Sequence, residues 1–303
     1  MKTFKYVYSA FFFTCIMFVN VTAQNQPGVD STGLPGDDFS LQGALQMFQD
    51  ATTIEDFEKA INTEGYHINN LDLNADGEID YIRVVDKSEK DVHAFVLQVP
   101  VSETENQDIA VIELEKTGEA NAIIQIIGDA DIYGEQVIVE PDGGGEEAFY
   151  NFNDSKLSGP NAGYDFTTPG IVVNVWLWPS VRFVYGPAYR PWISPWRWRY
   201  YPGWWKPWKP LRWHAWHPFR AHYHRPFSVV RTHRVIHAHR VYTPFRTTSV
   251  TVRTRNSAAV GNFRVTRTKT SITGPRGKTT TVKKTTVTGP RGGKATKVKA
   301  RRH

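Results

Sequence analysis

The apolar positions of residues 39–141 change period once, and this change predicts two helices followed by a sheet. A first helix is indicated by apolar residues at helical spacing, which are Leu41, Ala44, Leu45 and Phe48. The second helix carries Ile54, Phe57 and Ile61 on one face. Thr52 and Glu55 have the form of a capping box in which Thr52 is the N-cap, so this helix is expected to begin directly after Thr52.

From Ile79 onward the apolar period becomes two residues, which is typical of half-buried strands. The pattern predicts five strands, which are Ile79–Val85, Val92–Val101, Ile109–Glu115, Ala122–Ile127 and Gln136–Val139. The connections between them are short and polar, as in hairpins. We therefore expect an α+β fold class, with two short N-terminal helices on an antiparallel meander sheet, followed by a largely irregular basic, aromatic-rich tail.

Composition divides the chain into six segments. Residues 1–23 have the form of a signal peptide, with a short positive start, an apolar stretch and a small-residue cleavage site that ends at Ala23. The other predicted segments are a flexible leader (24–38), an acidic α+β domain (39–141), a linker (142–170), a Trp/Pro/Arg-rich segment (171–225) and a basic His/Thr/Arg/Lys-rich low-complexity tail with Gly-Pro-Arg-Gly repeats (226–303).

Two parts of the last 133 residues carry local β-strand signals. Residues 172–176 and 181–185 are β-prone and predict a strand pair around Pro179. The Thr-rich flanks of the repeats indicate either marginal hairpins that order on a partner or a solvated basic tail. The composition of this part does not support an ordinary core of its own.

Charge is segregated along the chain. Asp165 is the last acidic residue, and all 10 Trp lie between Trp176 and Trp216. The residues up to Gly170 hold all 30 acidic side chains and 8 basic ones, whereas the remaining 28 Lys and Arg follow Gly170. This asymmetry favours a polyanionic or membrane partner for the basic part, or self-association between the two halves as a homo-oligomer.

The chain has one cysteine, Cys15, and it lies inside the predicted signal peptide. The mature chain is thus expected to have no disulfide, no thiolate chemistry and no cysteine-based zinc site. It has no later apolar run that would span a bilayer. We expect an exported protein located in the periplasm, at the outer membrane or outside the cell.

Residues 72–80 have the spacing of a calcium-binding loop. Oxygen ligands are expected from the side chains of Asp72, Asn74, Asp76 and Asp80 and from the carbonyl of Glu78. The loop resembles the Asp-x-Asn-x-Asp-Gly-x-x-Asp loops of FG-GAP repeats and dockerins, and this resemblance implies a single structural calcium ion. It departs from an EF-hand, because Arg83 stands at position 12 and a second loop is absent. The alternative is an Asp/Asn/Gly turn that binds no ion.

The strongest candidate for partner binding is the Trp/Pro/Arg-rich segment. Its binding residues are predicted to be Trp196, Arg197, Trp198, Arg199, Trp204, Trp205, Lys206, Trp208 and Lys209. Indole rings favour the membrane–water interface, and Lys and Arg favour anionic groups. The predicted partners are therefore an anionic membrane surface or an acidic polysaccharide, and export disfavours nucleic acid. Alternatively, the indoles cap the acidic domain.

Seven of the 10 His lie between His214 and His239. The pairs His222/His224 and His237/His239 would each share one face of a strand, as in a Zn²⁺ or Cu²⁺ site. A cationic field without carboxylates disfavours a metal there, so pH-dependent positive charge is the preferred interpretation.

Known catalytic motifs are absent from the sequence, and its acids read as surface charges or loop ligands, so we expect no enzyme. The chain as a whole resembles secreted bacterial envelope proteins. The resulting hypothesis is an exported binding protein that attaches through its tail to lipid head groups, lipopolysaccharide or acidic polysaccharide. A self-assembling matrix protein and an accessory domain for a protein partner are the alternatives.

Overall fold

The computed structural model describes residues 31–142, 172–273, 279–288 and 294–302. The predicted signal peptide, residues 24–30 of the predicted flexible leader, nearly all of the linker and the Gly-Pro-Arg-Gly repeats lie outside the described residues. The rest of the leader is described, and it contains a 3-10 helix at Pro35–Asp38 and the buried side chain of Leu34.

The two N-terminal helices form as the periodicity predicts. Helix α1 spans Leu41–Asp50, and Ser40 caps it by accepting a hydrogen bond from the Gly43 amide. Helix α2 spans Ile54–Ile61. Its N-cap is Thr53, so the prediction of Thr52 is wrong by one residue. The Thr53 hydroxyl accepts a hydrogen bond from the Asp56 amide and so caps the helix. The Thr52 hydroxyl instead donates to the Asp56 carboxylate.

Six strands form one antiparallel sheet in sequence order, so the predicted α+β class and meander are confirmed. The strands are β1 Arg83–Glu89, β2 Val92–Pro100, β3 Asn106–Gly118, β4 Asn121–Gly128, β5 Val137–Pro141 and β6 Phe227–Val230. The first strand begins four residues later than Ile79. Its predicted start is held elsewhere, because the Ile79 amide donates to the Trp208 carbonyl and the Asp80 amide to the Leu71 carbonyl.

Two further short helices lie between β4 and β5 and after β5. Helix α3 spans Ala130–Tyr133 and helix α4 spans Pro179–Val184. The predicted strand pair around Pro179 is therefore wrong. Proline is well suited to the first turn of a helix, because its fixed φ fits and its missing N–H leaves no bond unmade. Val181 and Val184, three residues apart, then face the core together.

The chain after residue 212 is more regular than its composition predicts. It contains helices α5 Trp213–His222, α6 Ile236–Tyr242 and α7 Val250–Asn262, and it supplies strand β6. A separate antiparallel sheet follows, made of β7 Arg264–Thr273, β8 Thr279–Thr288 and β9 Lys294–Arg302. Among the described residues of the predicted irregular tail, the longest stretch without a helix or strand is 185–212, and shorter ones lie at 172–178 and between the elements after Trp213. Helices α5 and α6 form against the acidic domain, which supplies the core that their own sequence lacks.

The six-stranded sheet is covered on both faces. One face packs with α1, α2 and α4 around large apolar side chains such as Phe95, Leu97 and Ile112. The other face carries a smaller apolar cluster in which Val96 and Val111 contact Tyr242 of α6. The described part of the chain contains no helix of the length and apolarity that crossing a bilayer requires.

Candidate functional site

The predicted calcium loop is a tight, self-bonded turn immediately before β1. Its backbone has positive φ at Ala75 and Gly77, 62° and 86°. The Asp72 carboxylate accepts hydrogen bonds from the Asp76 and Gly77 amides at 3.1 and 3.0 Å, and Asp76 Oδ1 accepts from the Glu78 amide at 2.9 Å. Glycine suits the second of these positions, because a side chain there would be strained.

Asp80 carries the buried carboxylate of this loop. Its carboxylate accepts a hydrogen bond of 2.5 Å from the Leu73 amide. Burial raises the pKa of Asp80 to about 7, and the negative charges of Asp72 and Asp76 add to this shift. A bound cation would relieve the repulsion among these carboxylates.

The loop carboxylates do not yet converge on one point. Among the described residues, the group of three metal-ligating side chains whose ligand atoms all lie within 4.8 Å is Glu113, His233 and His239, which is elsewhere in the fold. Asn74 instead donates to Asp76 at 2.9 Å. Calcium binding would therefore draw Asp72, Asn74, Asp76 and Asp80 closer together, with the Glu78 side chain left exposed.

One buried side chain of the acidic domain, Glu58 of α2, makes several of the contacts that attach the aromatic segment. Its Oε1 accepts hydrogen bonds from the Tyr81 hydroxyl at 2.8 Å and the Ser194 hydroxyl at 2.7 Å. Its Oε2 accepts from the Val84 amide and the Trp192 indole N–H, both at 2.9 Å. Glu58 is 1 % exposed, and burial raises its pKa despite these four donors. It joins two halves of the chain that composition separates.

Residues 195–210, which we name the basic aromatic loop, extend from this attachment. Trp205 is buried against Tyr81, with ring centroids 5.2 Å apart, and Trp196, Trp198 and Trp208 are half-buried. In contrast, Trp204 is 46 % exposed and Tyr200 is 62 % exposed. The four basic side chains of the loop are all exposed, and these are Arg197, Arg199, Lys206 and Lys209.

A tight turn at residues 197–200 presents two of these cations. The Arg197 and Tyr200 amides each donate to the other residue's carbonyl, at 3.1 and 2.8 Å. The Arg197 guanidinium lies 4.5 Å from the Tyr200 ring centroid, and that of Arg199 lies 5.8 Å from the Trp198 ring centroid. Stacking on a ring limits the rotamers of a long cationic side chain, so the two guanidinium groups are partly preorganised.

The second polar region is the face of the six-stranded sheet that α6 covers, which we call the outer face. It carries buried carboxylates of β3 and β5. His233 and His239 contact Glu113, and His237 contacts Glu115. Arg234 pairs with Glu140 at 3.1 Å. Beyond the sheet edge, Arg246 forms a forked pair with Asp129 at 2.6 and 2.9 Å. The basic C-terminal part therefore supplies hydrogen-bond and ion-pair partners to carboxylates of the acidic domain within one chain.

Asp108 extends this contact between the acidic domain and the C-terminal part. It is fully buried and accepts hydrogen bonds from the Tyr242 hydroxyl at 3.0 Å and the Thr247 amide at 2.8 Å. Burial raises the pKa of Asp108 to about 6. The Ser249 amide likewise donates to the Gln107 side chain at 2.9 Å. These bonds hold residues 242–249 along the start of β3.

The sequence analysis treated these acids as surface charges, and for Glu58, Glu113, Glu115 and Asp108 this interpretation is wrong. One signal was present in the sequence. Glu113 and Glu115 stand two residues apart in the predicted strand Ile109–Glu115, whose other residues are apolar, so both must lie on the same face. A buried polar face needs partners, and only the basic part of the chain offers cations in sufficient number. The expectation that the histidines lack nearby carboxylates is wrong for the same reason.

No protein-family model, curated protein or solved structure matches this chain.

Proposed function

We propose that this is an exported, non-enzymatic binding protein that attaches to the anionic envelope surface through the basic aromatic loop. The observation that carries the proposal is the exposure of all four loop cations beside two exposed aromatic side chains, Tyr200 and Trp204. The partner is defined by phosphate or carboxylate groups, as in lipid head groups, lipopolysaccharide or acidic polysaccharide. Export disfavours nucleic acid as the partner.

The loop has the chemistry that such attachment requires. Guanidinium groups bind phosphate and carboxylate in a forked geometry, and the turn at residues 197–200 holds two of them in place. Trp204 lies at the edge of the fold with almost half of its surface free, so its indole is available for interfacial burial. Trp205 serves a different purpose, because it is buried and holds the loop on the domain.

Vesicle binding tests this proposal. Tryptophan emission of the mature protein should shift to the blue on addition of phosphatidylcholine vesicles that contain phosphatidylglycerol, and high salt should reverse the shift. Each surface cation contributes about 1 kcal/mol to binding at an anionic membrane. The variant Arg197→Ser/Arg199→Ser should therefore bind about 30-fold more weakly.

A matched control uses Arg225→Ser/Arg240→Ser, which removes two exposed cations outside the loop. This variant has the same net charge and should bind nearly as well as the parent chain. Equal weakening in both variants would mean that attraction is spread over the whole basic surface, and the assignment to the loop would be wrong. Binding to an acidic polysaccharide but not to vesicles would identify the polysaccharide as the source of the anionic groups. The same pair of variants would then test the loop against that partner.

We further propose that the loop at residues 72–80 binds one structural calcium ion. This loop lies directly beneath the basic aromatic loop, since the Ile79 amide donates to the Trp208 carbonyl at 2.8 Å. Burial raises the pKa of Tyr201, and the negative charges of Asp80 and Asp76 raise it further, which places this ring near the loop. Calcium would neutralise acidic side chains next to the proposed binding surface and fix the position of both loops.

Calcium at millimolar concentration is expected to stabilise the folded protein by about 1–3 kcal/mol, as for extracellular sites of modest affinity. The measurement is the melting temperature with calcium, with magnesium and with chelator. Asp76→Ala should abolish the calcium increment, whereas Glu89→Ala, an exposed acid outside the loop, should keep it. If neither calcium nor Asp76→Ala changes the melting temperature, the proposal is wrong and residues 72–80 form a turn that binds no ion.

The self-assembly alternative is weakened by where the charges pair. His233, His237, His239, Arg234 and Arg246 already contact carboxylates of their own chain. Pairing of these five side chains with carboxylates of another copy would require their present contacts to open. We therefore place attachment to an anionic surface ahead of a matrix role.

A further inference from the structure

Three ligating side chains from distant parts of the sequence meet on the outer face of the sheet. Glu113 comes from β3, His233 from the segment after β6, and His239 from α6. His233 Nε2 lies 2.6 Å from one Glu113 oxygen, and His239 Nδ1 lies 2.7 Å from the other. The two imidazole rings have centroids 4.4 Å apart and are nearly perpendicular, with an interplanar angle of 79°.

These atoms are close to the arrangement that a tetrahedral metal ion needs. Zinc bonds to histidine nitrogen and carboxylate oxygen are about 2.0–2.2 Å long, which puts neighbouring ligand atoms about 3.3 Å apart. The ligand atoms of Glu113, His233 and His239 all lie within 4.8 Å of one another. A change of less than about 1 Å in the two contacts with Glu113 would admit the ion.

The fold supports the carboxylate and leaves the histidines accessible. Glu113 has a side chain that is 0 % exposed and is fixed in the middle of the sheet, whereas the side chains of His233 and His239 are 24 % and 29 % exposed. An ion between them would have a rigid ligand below and solvent above. Two His and one Glu leave the fourth coordination position of zinc to water.

The charge around the cluster also favours a cation. Glu115 lies two residues from Glu113 on the same face and accepts a hydrogen bond from the Ala238 amide at 2.8 Å. Glu140 forms an ion pair with Arg234. Three carboxylates thus face the Arg234 guanidinium and the His237 imidazole here, and Arg240 of α6 is exposed to solvent. The local charge around this cluster is therefore more negative than the basic composition of the C-terminal part suggests.

We infer that Glu113, His233 and His239 form a binding site for Zn²⁺, with one water or exogenous ligand completing its coordination. The site is independent of the basic aromatic loop and of the calcium loop. Imidazole and carboxylate ligands in this number suit zinc, whereas calcium prefers a larger set of oxygens. The ion would tie the segment after β6 and helix α6 to the central strand of the sheet, and so fasten the C-terminal part to the acidic domain.

The test is calorimetric titration of ZnCl₂ into the mature, tag-free chain after treatment with chelator, together with its melting temperature. We expect one equivalent of zinc to bind and to raise the melting temperature. The Co²⁺ form should show the intense visible absorption of a four-coordinate site. His233→Ala/His239→Ala should weaken zinc binding by at least about 100-fold, since loss of even outer-shell partners costs 10–100-fold.

Two further variants make the outcome unambiguous. Glu113→Gln keeps the shape of the side chain but removes its charge, so it should also lose zinc while circular dichroism shows a retained fold. His214→Ala/His222→Ala removes two exposed histidines of α5 and should leave binding unchanged. The inference is overturned if the parent chain binds no zinc, or if the variants at residues 113, 233 and 239 bind it as tightly as the parent. In either case the cluster is a set of hydrogen bonds only.

Discussion

Replacing Glu58 with alanine is expected to destabilise the folded protein by about 3–5 kcal/mol, because four buried donors lose their acceptor at once. These donors are the Tyr81 and Ser194 hydroxyls, the Val84 amide and the Trp192 indole N–H. Two of the four belong to the aromatic segment, so the loss should also loosen that segment from the domain. The measurements are urea unfolding and tryptophan emission.

Emission is a selective probe here, since every Trp lies between Trp176 and Trp216 and the acidic domain has none. Glu58→Ala should shift the emission to the red in the absence of denaturant, as indoles such as Trp192 gain water. Glu55→Ala is the matched control, because Glu55 is exposed on the same helix. A variant at Glu58 with unchanged emission and stability would show that the aromatic segment is held by other contacts.

Removing the chain after residue 170 is expected to prevent the acidic domain from folding. Strand β5 would lose β6, its neighbour from Phe227 to Val230. The outer sheet face would expose Val96 and Val111 to water, and its carboxylates would lose every cation that now pairs with them. Domains of this kind are stable by only about 5–15 kcal/mol, so the simultaneous loss of a strand partner, an apolar cover and ion pairs is expected to prevent folding. Far-UV circular dichroism of the truncated chain should show no cooperative melting transition.

A second truncation serves as the control. Ending the chain after Phe263 removes β7, β8 and β9, which pair only with one another. This shorter chain should melt cooperatively and close to the temperature of the mature protein. Cooperative melting of the chain that ends at residue 170 would contradict the expectation, and it would show that the acidic domain folds independently of the part that covers it.

Sequence reasoning succeeds where the signal is local. The period of three to four residues gives α1 and α2, and the period of two gives the strands of the meander, because those patterns arise from a single buried face. It fails at Pro179, where β-prone valines enter a helix. Val181 and Val184, three residues apart, share one face of a helix but would lie on opposite faces of a strand. The prediction rested on the β-propensity of the residues, and a short apolar run alone does not decide between the two elements.

The missed contacts have a different cause. Glu58, Glu113 and Asp108 find their partners more than 100 residues away, at Trp192, His233 and Thr247. No local pattern encodes such pairs. Composition described the two halves as separate bodies, whereas the buried acids show that each half completes the other. The turn at residues 72–80 and the aromatic segment could be located from the sequence, but their adjacency through Ile79 and Trp208 could not.

The late arrival of β6 has a consequence for biosynthesis. Strand β5 ends at Pro141 and its partner begins at Phe227, so residues 142–226 must be synthesised, and in an exported chain also translocated, before the sheet edge is closed. At typical rates of 5–20 residues per second synthesis alone takes roughly ten seconds. During that time β5 presents unpaired amides and carbonyls that would template intermolecular strand pairing. The nascent chain thus has a window in which a chaperone, or delayed collapse of the first five strands, must keep it from aggregating.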